Sequence, residues 1–91
     1  MVITNLIIEF DLPFIHGLKG RRAVINSIKE KLKKFNVSIL DISGEYPKEA
    51  ALAVAFLSPD EEKANSYVQK IENFLYKNFP EYFFNIQYEI L

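Results

Sequence analysis

The chain reads as a single α+β domain, residues 1–91, in which two helices cover one face of a four-stranded antiparallel sheet in the order βαββαβ. Three observations predict this. Four short segments read as strands, the first and last by apolar alternation with a period of two. Two longer segments carry apolar residues at helical spacing. Three of the four prolines fall between these segments, and Pro59 takes the first position of the second helix.

The first strand spans 2–12. Val2, Leu6, Ile8, Phe10 and Leu12 share one face; Ile3, Asn5, Ile7, Glu9 and Asp11 share the other. Pro13 ends it. A helix follows over 18–35, with Val24, Ile25, Ile28, Leu32 and Phe35 as its apolar stripe. Its start is weakly specified, because Gly17 stands where a Ser or Asp would cap better and Gly20 lies in the first turn. The second strand covers Val37 to Ile42, with faces less cleanly divided and room for a bulge. Gly44 and Pro47 mark a turn. The third strand, 50–57, holds no charge, which predicts a central strand buried on both sides.

Ser58, Pro59 and Glu61 predict the second helix start, with Ser58 as N-cap and Glu61 closing a capping box. The stripe Ala64, Tyr67, Val68, Ile71, Phe74 and Leu75 carries the helix to about 78, before Pro80. The last strand spans 82–90. Right-handed crossovers place the first and third strands centrally, where a parallel pair is expected. The layout is ferredoxin-like, with one sheet face left open.

Composition narrows the function. The chain has no cysteine, which excludes disulfides and thiolate chemistry. Nearly half its residues are apolar, enough for one core. No apolar run approaches the roughly 20 residues of a membrane helix. The start lacks a basic segment ahead of its apolar stretch, so no signal peptide is read and the cytoplasm is expected. Net charge is −1, but unevenly spread. Residues 19–34 carry seven cations against Glu30 alone, or +6; the remainder carries four lysines against eleven acids, or −7.

That basic segment carries a resemblance. Gly17-Leu18-Lys19-Gly20-Arg21-Arg22, then Val24-Ile25 and Phe35-Asn36-Val37-Ser38, resembles the YlxP-like bacterial family. The family's hallmark is Ser-Leu-Lys-x-Lys-Arg followed by a basic helix ending Phe-Asn-Val-Ser. The resemblance covers the whole chain. It implies a ferredoxin-like fold and no known activity. It also implies genes beside those of transcription elongation, translation initiation and ribosome maturation. Gly17 departs from the hallmark serine, and Tyr46 stands near where the family often has Trp.

From the residues, Lys19, Arg21, Arg22, Lys29 and Lys33 are the expected nucleic-acid contacts, because cations bound to phosphates release condensed counterions. The competing reading is a solvated helix face. Base stacking on the open sheet face is not expected, since Ala51, Ala53 and Ala55 cannot stack and Phe83 is the one obvious ring. Ile3, Ile7, Ala53 and Phe83 are instead the expected homodimer contacts. The sole histidine, His16, has no partner set by spacing, and Glu9 and Asp11 read as a solvated strand end rather than a cation site. No catalytic, cofactor or metal residue is assigned. The leading expectation is a non-enzymatic RNA- or ribosome-associated accessory factor. The alternative is a protein-interaction or small-molecule-sensing module that homodimerises through the open face.

Overall fold

A computed structural model describes residues 1–91. Its elements are β1 (Val2–Asp11), α1 (Gly17–Leu32), β2 (Ser38–Asp41), β3 (Glu49–Ser58), α2 (Glu61–Asn78) and β4 (Asn85–Ile90). The sheet order is β2-β3-β1-β4, and every neighbouring pair is antiparallel. The central strands are β1 and β3, as expected. They run antiparallel, not parallel. The reason is topological: the β1–α1–β2 crossover makes β2 parallel to β1, and the connection over residues 42–48 then reverses the chain into β3.

Alternation places the core. Leu6, Ile8 and Phe10 of β1 and Leu52, Val54 and Phe56 of β3 point to one side. Ile25, Ile28 and Leu32 of α1 and Ala64, Val68, Ile71 and Leu75 of α2 meet them there. Each fully buried aliphatic side chain contributes roughly 1.5–3 kcal/mol. Two aromatic groups close the core's flanks. Phe10 packs on Tyr82 and Phe84 with ring centroids 5.4 and 5.0 Å apart. Phe35 packs on Tyr67 and Phe74 at 5.7 and 5.2 Å.

Several local details depart from the sequence reading. The second helix is capped by Asp60, whose Oδ1 accepts from the Lys63 amide at 2.9 Å, and not by Ser58. Ser58 is the last residue of β3, paired with Val2, so the ladder holds it before the helix begins. The backbone of Gly17 has φ of +72°, a left-handed conformation, so the serine or aspartate cap expected to improve this start would be strained there. The α1 helix ends at Leu32, and a tighter turn, with the Phe35 amide donating to the Leu32 carbonyl, completes the expected span.

The second strand is short and lies at the sheet edge. Beyond it the Ile42 amide donates to Ala51, and the Ser43 hydroxyl then accepts from the Ala51 amide at 3.0 Å, standing in for backbone. The third strand is not buried on both sides: Ala51, Ala53 and Ala55 are half-buried and Leu57 is 62% exposed. Both helices cover the opposite face, which leaves this one uncovered.

Candidate functional site

The five cations expected to act together divide into two groups. Arg21 lies four, seven and eleven residues before Ile25, Ile28 and Leu32, so helical spacing puts it in the apolar stripe. It is 8% exposed. Its Nη1 donates to the carbonyls of Gly44, Tyr46 and Glu49 at 2.8, 3.0 and 3.1 Å. Two protons are shared among three acceptors, and the guanidinium pins α1 to the β2–β3 connection. Arg21 therefore acts as a structural anchor: its Nη1 is engaged by three carbonyls, and its Nε is buried without a partner. The clue was in the spacing; only the charge argued the other way.

Lys19, Arg22, Lys29 and Lys33 do share a face. At 100° per residue they fall within a sector of about 80°, and they extend over roughly 21 Å of helix. Lys19, Arg22 and Lys33 are exposed and Lys29 is half-buried. The one ion pair in the structure joins Lys33 to Glu30 at 3.0 Å, with both side chains 72% exposed, so it stabilises by well under about 1 kcal/mol. The remaining helix cations serve the other flank. Lys34 Nζ lies 4.1 Å from the Phe74 ring centroid, and Lys31 Nζ lies 5.0 Å from that of Phe79.

Asp41, at the end of β2, is the carboxylate whose titration is perturbed, with Lys29 of the stripe among the causes. Partial burial raises its pKa, but hydrogen bonds from Ser43, with Arg21 and Lys29 nearby, outweigh this and leave it below the ordinary value. Lys29 is thus partly answered within the protein, while no carboxylate lies within ion-pair distance of Lys19 or Arg22. His16 stands exposed just before α1 and makes no side-chain cap. No group of three His, Cys, Asp or Glu side chains converges.

The open face carries the second expected set. Ile7 and Ala53 are direct cross-strand partners. Ile3 lies on the same face, four rungs away beside Leu57. Phe83 is 84% exposed at the opposite end, by Glu9, Asp11 and Glu81. Sequence reasoning missed Leu40, whose rung with Ala53 and Ile7 puts it on this face and leaves it 64% exposed. The parity of Ser38, Leu40 and Ile42 was the available signal.

Fold and surface together define a ferredoxin-like α+β domain with a cationic helix stripe on one side and an apolar sheet face on the other. The chain belongs to the family described as Protein of unknown function (DUF503), which matches residues 3–88. No curated protein matches it. Among solved structures it is similar to the de novo designed protein Foldit4, with a TM-score of 0.54 and 17% identity over 97% of this chain and 94% of that one. It is also similar to the de novo designed protein LFR1 1 with ferredoxin fold, with a TM-score of 0.52 and 17% identity over 98% of this chain and 86% of that one. At such identity these likenesses carry the fold alone. No helix is long and apolar enough to cross a membrane.

Proposed function

We propose that this domain is a non-enzymatic, YlxP-like accessory factor that docks on RNA phosphates, on the ribosome or its precursors, through the cationic flank of α1. One observation carries the reading: Lys19, Arg22, Lys29 and Lys33 form a single stripe in which Glu30 is the one paired acid. Contact with phosphate releases condensed counterions, which is the main source of sequence-independent affinity. The stripe holds no aromatic ring to stack a base, so phosphate contact would position the protein without reading sequence.

The test is anisotropy of labelled ribosomal RNA fragments across a salt series, with a charge-reversed protein. The reversal is Arg22→Glu with Lys29→Glu; Arg21 is left intact because its loss would disturb folding. The expected result is affinity that falls log-linearly with salt and drops at least about tenfold in the reversal. Lys63→Glu with Lys70→Glu, on α2, should bind nearly as the parent does. Equal loss from both pairs, or no binding at low salt, would overturn the proposal.

A further inference from the structure

We propose that the open sheet face docks a cationic amphipathic helix from a partner protein. Three apolar side chains of the face stand exposed: Leu40 and Leu57 at 64 and 62% and Ile3 at 42%. The central strands β1 and β3 are paired on both edges, so an occupant seated over them must arrive with its own backbone satisfied. The shape favours a helix over a flat sheet. Ala53 and Ala55 floor a trough of about 450 Å³, and Leu40 and Ile7 stand on either side of it. From β2 to β1 is two strand spacings, roughly 10 Å, which is the width of a helix lying along β3.

Charge sets the partner's chemistry. Where β3 begins, Glu49 is paired with Asp11, and Glu9 lies on the same face two residues along β1. Glu45 and Glu81 border the same region. None of these carboxylates has a cation within ion-pair distance. The strand residues of this face include no lysine or arginine. Glu89, opposite Asn5, stands off to the β4 side, so over β1, β3 and β2 an occupant with an apolar row and a cluster of Lys or Arg at one end matches both the trough and its acidic end.

A second copy of this chain matches only one half. In a face-to-face dimer with its two-fold axis along the strands, acids meet acids. With the axis across the strands, Glu49 and Asp11 are pressed against Leu57 and Ile3. Either arrangement buries carboxylates that no cation on the face can answer, which is strongly unfavourable. A cationic helix removes that penalty.

The probe is a synthetic helix of ~18 residues, long enough to form in water, with leucines in one row and lysines in its last turn. Two controls accompany it: the same helix with glutamates in place of the lysines, and a scrambled peptide of equal charge without the apolar row. Binding is followed by amide chemical shifts of the whole protein. The lysine helix is expected to bind with shifts confined to β1, β2 and β3, and both controls to bind at least about tenfold more weakly. Leu40→Glu should abolish binding without lowering the melting temperature, because Leu40 is exposed. Asp11→Asn with Glu49→Gln should weaken it about tenfold. Equal binding by the lysine and glutamate helices, or shifts centred elsewhere, would overturn the proposal. So would a dimer in light scattering that Leu40→Glu dissociates, since a second copy would then be the occupant. Leu40→Glu leaves the α1 stripe untouched, so RNA binding is read separately and the two proposals fail independently.

Discussion

Arg21 reaches 23 to 28 residues along the chain to the carbonyls it bonds, and hydrogen bonds from a charged donor contribute roughly 1.5–3 kcal/mol each. Replacing it with methionine keeps the stem's packing and removes the guanidinium. Arg21→Met should therefore lose about 2–3 kcal/mol in a urea melt, whereas Arg22→Met, one position along and exposed, should change stability by less than about 0.5 kcal/mol. Equal effects would mean that the three carbonyls find water instead. Asp41 supplies the pH dependence at this scale. Its folded pKa lies below its ordinary 3.8, so the stability it contributes is complete well above 3.8 and disappears as pH falls through the depressed folded value. The stability difference between the parent and Asp41→Asn should be constant near neutrality and shrink in acid below 3.8. A difference that grew on acidification would mean the carboxylate is not held in its charged form.

The two helices begin in opposite ways. The α2 start has a side-chain cap and Glu61 and Glu62 in its first turn, where the helix dipole favours negative charge. Asp60→Ala should destabilise the protein by about 1 kcal/mol by thermal melt, the usual value for losing such a cap. A null effect there, with a loss in Ser58→Ala, would return the cap to Ser58. The α1 start has no side-chain cap and no acid in its first turn. It is held instead by the left-handed Gly17 and by Arg21, whose anchor lies one turn further on. That is why a helix with weak local signals is nonetheless placed accurately enough to line up four cations. Element types were legible in the sequence because helix and strand periods are local properties. Element ends were less so: the last strand's ladder begins at Asn85, although the alternation of buried Phe84 and exposed Phe83 starts earlier.

Across the whole molecule the two-layer architecture keeps the charges apart. The cationic stripe lies on one flank of α1, on the helix side of the sheet, and Glu9, Asp11 and Glu49 lie on the opposite face of the sheet. The sheet and the roughly 10 Å helix-on-sheet layer spacing stand between them, comparable to the Debye length of about 10 Å at 0.1 M salt. The acids of the open face therefore leave the stripe available to an anionic partner, and the near-zero net charge conceals two oppositely charged surfaces. For RNA, four phosphate contacts predict a slope of log affinity against log salt of about −3, falling by roughly half in the Arg22/Lys29 reversal. An unchanged slope would mean that the cations counted are not those in contact.

The sequence by itself determined the order and type of all six elements, the core-facing parity of β1 and β3, and the concentration of positive charge on α1. Each of these depends on residues near one another in the chain. Tertiary structure alone decided the rest. Arg21 became an anchor because a connection more than twenty residues away presents three carbonyls to it. β1 and β3 became antiparallel because the reversal between β2 and β3 sets their directions. Leu40 joined Ala53 and Ile7 on one rung because strand register brings them together. Periodicity shows which side of its own element a residue faces; what stands opposite depends on how distant elements dock.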